Sequence, residues 1–225
     1  MPFSAGFKSR AIMSHSMKTV ASMCIGLSAL VAAGQAVAAE CAPIAIPKHY
    51  GPYDYVSEHS YIGIVDAFHF TPKVESLIGG ESSYLGEDLS YTLNASPNHH
   101  RALAAIMRWG MKTKTPQPPE LKYSIECYFD RATRFRPKDT VVRSLYALYL
   151  AQLKRPSEAI QQLDYAAIVV DDNAVSHYNI GLTYFDLGEF EKALQQAHLA
   201  LKLGYERTEL ADRLKQVNRW KEPAE

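Results

Sequence analysis

The sequence predicts an all-α protein built from repeated helical hairpins, with an export signal and an irregular N-terminal segment before them. Two observations indicate this fold class. Small residues recur with a constant period of about 34 residues in the C-terminal half, and apolar residues between them recur at helical spacing. A third observation, a cationic and then apolar start, indicates export. The chain has 225 residues, which is room for one ordinary domain and an extension.

Residues 1–38 have the layout of a secretory signal peptide. Residues 1–39 contain three cationic side chains and no acidic one, and they include an apolar run from Val20 to Ala33 followed by small residues. The run is shorter than the ~20 residues that a membrane span needs. Cleavage after Ala38 or Ala39 fits equally well, and an uncleaved anchor is the alternative. We expect a periplasmic or secreted protein with no membrane span after cleavage.

Charge argues against a nucleic-acid-binding protein, and the cysteine content indicates a disulfide. The 24 basic and 24 acidic residues cancel, and a nucleic-acid-binding protein would need a basic patch. Cys24 leaves with the signal, so Cys41 and Cys127 remain as an even pair in a compartment that permits disulfides. We expect a Cys41–Cys127 bond. Two buried free thiols are the alternative.

The repeat is clearest in residues 174–207, where Gly188 separates two stretches of helical periodicity. Small residues stand at its eighth, twentieth and twenty-seventh positions, and the preceding unit of equal length, 140–173, places alanine at all three. These two sets are Gly181, Ala193 and Ala200, and Ala147, Ala159 and Ala166. Lys154 takes the place of the turn glycine. A third unit, about 100–139, keeps the phase at Ala132 but carries six extra residues in the loop 112–119.

This pattern resembles the tetratricopeptide repeat superfamily, and the chain is similar to an exported member from a Gram-negative bacterium. The resemblance implies a right-handed solenoid of about three helix-turn-helix repeats in residues 99–221. The repeats would cover about 100–139, 140–173 and 174–207, and an amphipathic helix at 208–220 would cap them. Residues 39–98 would form an N-terminal extension that ends in a degenerate half-repeat.

Local signals place the elements of that extension. We expect an extended arm over 42–55, a short helix from Thr71-Pro72, and a helix over 87–95. Ser96 and Pro97 are suited to the N-cap and first position of the next helix, which should run over about 100–111. The second helix of that unit should cover 121–135.

No catalytic or cofactor signature is evident in the sequence. It contains no G-x-S-x-G, no S-x-x-K, no phosphate-binding loop and no H-x-x-x-H or C-x-x-C. We therefore expect no enzymatic activity, no cofactor and no metal site. Five histidines in residues 41–100 (His49, His59, His69, His99 and His100) are interpreted as structural or surface residues, and His177 as a packed core residue.

By resemblance, the first helix of each repeat lines a concave groove. We expect this groove to bind another envelope protein or peptide, as an interaction module or assembly factor. The expected partner-binding residues are three apolar anchors at one end and three cations at the other: Tyr178, Leu182 and Phe185, and Arg101, Arg108 and Lys112. Two alternatives stay open. The capping helix or the arm could bury Tyr178 and Phe185, and the histidine-rich region could handle a metal or haem.

Overall fold

The computed structural model describes residues 41–223, and that part of the chain contains ten helices and no strand. The predicted signal peptide lies outside the described residues. The helices are α1 (His59–His69), α2 (Pro72–Glu75), α3 (Leu85–Ala95), α4 (His100–Thr113), α5 (Ile125–Phe135), α6 (Thr140–Gln152), α7 (Pro156–Val169), α8 (Ala174–Asp186), α9 (Phe190–Lys202) and α10 (Glu209–Gln216). The all-α prediction is confirmed. Among the described residues, no helix is long and apolar enough to cross a membrane.

The C-terminal half consists of two hairpins, α6–α7 and α8–α9, that repeat each other in detail. Helix α8 begins at the same interval after α6 as α9 does after α7, and this interval is the period found in the sequence. Gly188 turns the second hairpin with φ +80°, and Lys154 holds φ +61° at the equivalent position of the first. The next residue in each turn donates its backbone N–H to the inner helix, from Glu189 to Tyr184 and from Arg155 to Leu150. Lys154 therefore adopts the left-handed conformation that glycine would adopt without strain.

Side chains that accept backbone N–H bonds begin the inner helices. Asp139 accepts from Val141 and Val142 at the start of α6, and Asn173, at the equivalent position of the next hairpin, accepts from Ser176 at the start of α8. The prediction that Ser96 caps α4 is wrong, because Ser96 closes α3 through its N–H to Thr92 O.

His99 caps α4 instead, with its Nδ1 accepting from Ala102 N at 3.1 Å. The residues from Ser96 to His99 form the turn between α3 and α4. The N-cap consequently falls three residues later than the Ser-Pro pair indicates.

Two apolar clusters make the core. One cluster contains residues from each helix between α2 and α6, and the other contains residues from each helix between α6 and α10. The predicted small positions of the repeats are all buried, and a Cβ on Gly181 would lie 2.6 Å from Leu210 Cδ2 and 3.1 Å from Gln196 Cβ. The sequence predicts a close approach between α8 and α9 at Gly181. The structure shows that α10 approaches the same glycine still more closely.

The N-terminal part is more ordered than the sequence analysis predicts. The short helix at Pro72 and the helix ending at Ala95 are confirmed, as α2 and α3, and residues 42–55 contain no helix. Helix α1, which the sequence analysis did not identify, lies between the arm and α2 in the chain and packs against α3. Phe70, Val74 and Leu93 belong to the same core cluster as the residues of α4 and α5, so this segment shares the core of those two helices.

The arm is fastened to α5 by the Cys41–Cys127 disulfide, whose Cα atoms are 5.5 Å apart. Beside it Arg131 is fully buried and donates to the carbonyl oxygens of Pro43 and Ile44 at 3.3 and 3.2 Å. Burial lowers the pKa of the Arg131 guanidinium from its ordinary value. The arm therefore supplies the acceptors that make a buried cation tolerable at this position.

Candidate functional site

The inner helices α4, α6 and α8 lie side by side and carry equivalent residues on one face. Positions seven apart on a helix differ by only ~20° in direction, so each inner helix presents its second and ninth repeat positions together. On α6 and α8 these positions form what we term the central apolar strip: Val141, Leu148, Val175 and Leu182. The equivalent positions on α4 are Arg101 and Arg108, with allowance for the six inserted residues.

Tyr178 is not an exposed anchor, contrary to the expectation that it is partly accessible. It is 4% exposed, its ring centroid lies 4.8 Å from that of Tyr205, and its hydroxyl faces Glu209 at 3.5 Å. Burial raises the pKa of its phenol. Helix α10 and the turn before it cover this side chain, so the alternative that the cap buries Tyr178 is the one the structure shows.

Phe185 is half-buried, and the charged face of α10 reaches over it. The Arg213 guanidinium lies 4.3 Å from the ring centroid and also bonds Asp186, while Phe190 meets the ring edge-on at 5.2 Å. Leu182, one helical turn earlier, is half-buried and has no such charged cover among the described residues. Of the three predicted apolar anchors, Leu182 is therefore the one that remains accessible.

The N-terminal segment pairs with one of the three predicted cations, Arg101, whereas Arg108 and Lys112 have no carboxylate partner among the described residues. Arg101 makes a two-pronged ion pair with Glu75 of α2, and Arg108 donates to the Glu75 backbone oxygen at 3.0 Å. The bond from Glu75 raises the pKa of Arg101 and, reciprocally, the Arg101 bond lowers the pKa of Glu75. Lys112 is exposed and makes no ion pair in the described part of the chain.

The accessible apolar part of this face is therefore the strip on α6 and α8. Val141 is 37% exposed and Val175 is 47% exposed, while Leu148 and Leu182 are half-buried beside them. Met111 at the end of α4 is 51% exposed and adjoins Lys112 in the chain. An apolar strip of this kind can bind a chain segment by burying apolar side chains.

Three of the five clustered histidines pair with separate carboxylates. His69 bonds Asp88 at 2.8 Å, His99 bonds Asp66 at 2.9 Å and His100 bonds Asp139 at 2.8 Å. Within residues 41–223, no three histidine, cysteine, aspartate or glutamate side chains are placed to share a metal ion. His177 is buried and bonds Gln196 at 2.7 Å.

Asp54 and Asp139 are joined through the side-chain amide of Asn98, which donates to both. Burial of Asp54 opposes ionisation, but hydrogen bonds from Asn98, Ser57, the Val56 N–H and Arg136 together lower its pKa to about 2. This network lies between the arm and the start of α6. It fixes the N-terminal segment against the first inner helices with ionised carboxylates.

Comparison with known proteins does not supply an identity. No protein-family model matches the chain, and no curated protein matches it. The functional argument consequently depends on the residues and geometry described above.

Proposed function

We propose that this protein is an exported binding module of the tetratricopeptide repeat type, and that it recognises another envelope protein or peptide through the central apolar strip. The constant spacing of helix starts, turn bonds and N-caps supports the repeat assignment and a right-handed solenoid. The observation that carries the function is the exposure of valine at the same position of two successive inner helices.

Export is the second part of the proposal. The layout of residues 1–38 supports a cleaved signal peptide, and the Cys41–Cys127 disulfide supports an oxidising compartment such as the periplasm or the exterior. The same bond holds the arm on α5, outside the strip. The arm therefore leaves the inner face of α6 and α8 accessible.

The strip suits a short extended segment with apolar side chains three residues apart. Neighbouring packed helices have axes about 8–10 Å apart. In the polyproline II conformation, side chains three residues apart point the same way and lie about 9 Å apart, so two apolar side chains of a partner would reach the Val141 and Val175 positions in turn.

Affinity capture from envelope extract tests this, with the pair Val141→Asp and Val175→Asp combined in one variant. Both valines occupy the second position of their helices, where an aspartate interacts favourably with the helix dipole and the fold should be retained. Ser157→Asp is the matched control, because Ser157 is the exposed second residue of the outer helix α7.

The double variant should recover about tenfold less partner, or still less, than the wild-type chain and the control do. The reason is that two carboxylates would have to be desolvated against apolar side chains. Titration of that purified partner should give the same order of affinities. Equal recovery by all three proteins would contradict binding at the strip.

A further inference from the structure

A small cavity lies beside α1, distant in sequence from the central apolar strip. Its volume is about 210 Å³, and its walls come from the arm, α1 and α3. The lining is largely apolar and aromatic, and consists of Tyr50, Ile64, Val65, Phe68, His69 and Tyr91. His69 contributes its only imidazole, so the orientation of that ring decides what the cavity can recognise.

The orientation of His69 is set by a buried carboxylate. Asp88 has no exposed surface, and its Oδ2 accepts the backbone N–H groups of Glu81, Ser82 and Ser83 at 2.6, 3.1 and 3.3 Å. Its Oδ1 faces His69 Nδ1 at 2.8 Å. Because this carboxylate oxygen is an acceptor, Nδ1 carries the hydrogen, and in the neutral imidazole Nε2 is then the acceptor.

A second contact, made by the face of the His69 ring, also fixes its orientation. His69 stacks on Tyr91 with centroids 3.8 Å apart and an interplanar angle of 21°. The side chain of His69 is 22% exposed, and Nε2 has no hydrogen-bond partner in the described part of the chain. A fully buried carboxylate, supported by three backbone donors, therefore holds one accessible acceptor in an aromatic cavity.

We propose that this cavity binds a small planar ligand that donates one hydrogen bond, of the phenol or indole class, with His69 Nε2 as the acceptor. The aromatic rings of Tyr50, Phe68 and Tyr91 suit a flat ring, because offset or edge contacts between aromatic groups are favourable. The volume is below the ~300–1,000 Å³ of pockets for drug-sized ligands, which restricts the ligand to one or two rings. This proposal does not depend on the proposed function of the strip.

Titration with indole and with N-methylindole, followed by NMR of the mature chain, tests the acceptor role. Indole should shift the Nε2 resonance of His69. N-methylindole, which has the same ring but no donor, should bind about two- to twelvefold more weakly, as the loss of one hydrogen bond implies. Equal dissociation constants for the two, no saturable binding, or saturation without a shift at His69 would each overturn the proposal.

Phe68→Ala and Tyr84→Ala test the location. Both side chains are exposed aromatics, 57% and 69%, and only Phe68 lines the cavity, so neither variant removes core packing. Phe68→Ala should weaken indole binding about two- to twelvefold and Tyr84→Ala should leave it unchanged. Equal effects of the two variants would overturn the assignment of the ligand to this cavity. The comparison of indole with N-methylindole uses the wild-type chain and does not depend on either variant.

Discussion

Gly181→Leu should destabilise the protein by forcing apart three helices that meet at one glycine. A Cβ at Gly181 would lie 2.6 Å from Leu210 Cδ2, 3.1 Å from Gln196 Cβ and 3.4 Å from the Ala193 backbone oxygen. A leucine adds three further carbons in a direction where Leu210 is itself 1% exposed. The side chain therefore has no space unless α10 moves away from α8 and α9.

The expected loss follows from two opposing effects. Overpacking a filled core costs about 1–3 kcal/mol. Replacing glycine by leucine inside a helix returns about 0.5–1 kcal/mol through helix propensity. If α10 separates fully, the burial of Leu210 and Leu214 is also lost, at about 1.5–3 kcal/mol for each side chain. The midpoints of the first two ranges give a net loss of about 1 kcal/mol, with more lost if α10 separates, and a fall in Tm of about 2 °C or more.

Gly63→Leu is the matched control, since Gly63 also lies within a helix and a Cβ there meets nothing within 4 Å. Thermal and urea unfolding should show that this control is as stable as the wild type or slightly more stable. A second test combines Gly181→Leu with Leu210→Ala, which opens the contested space. The double variant should lose less stability than the sum of the single ones. An unchanged Tm for Gly181→Leu, or strict additivity in the double variant, would refute the close approach.

Three further predictions concern the buried tyrosine, acid and the disulfide. Tyr178→Ala should lower the free energy of unfolding by roughly 3–5 kcal/mol, measured by urea denaturation, because it leaves a cavity beneath α10. Burial, set against the hydrogen bond and charge of Asp66, lowers the pKa of His99 below its unfolded value of about 6.5. Stability should therefore fall as pH decreases from about 6.5 to the folded pKa, by up to about 1.4 kcal/mol per pH unit, in urea titrations at several pH values. Reduction of the Cys41–Cys127 bond should cost on the order of 4 kcal/mol in guanidinium unfolding, because the bond spans 86 residues.

Each of these has a defined contrary result. Tyr178→Ala with full stability and reduced partner capture would return Tyr178 to the binding surface. His99→Asn keeps an N-cap acceptor for α4 but does not titrate in this range, so the acid dependence below pH 6.5 should diminish in that variant. An undiminished dependence would assign it to other groups. An identical guanidinium midpoint before and after reduction and alkylation would show that the cross-link contributes nothing to stability.

The sequence predicted those parts of the fold that depend on local pattern. The small positions at Gly181 and Ala147, the turns at Gly188 and Lys154, and the hairpin helices follow from spacing, because close helix packing needs small side chains at regular intervals. The disulfide was predictable from compartment and cysteine count.

The contacts that decide the site join residues far apart in the chain, and a repeat pattern does not contain them. Glu75 pairs with Arg101 from outside the repeats, and α10 covers Tyr178 from beyond them. Buried Arg131 has a similar origin, since two of its three acceptors lie in the arm and the third is Leu93 O of α3. Helix α1 was missed because Gly63 stands at its centre, and only Ile62 and Val65 of its apolar residues face the core.

Hydrogen–deuterium exchange of the mature protein with its captured partner tests the central claim most directly. If the partner lies on the central apolar strip, the first turns of α6 and α8, around Val141 and Val175, should exchange more slowly in the complex. The outer helices α7 and α9 should exchange as they do in the free protein. Protection confined to the outer helices or to α1, with α6 and α8 unchanged, would contradict the account.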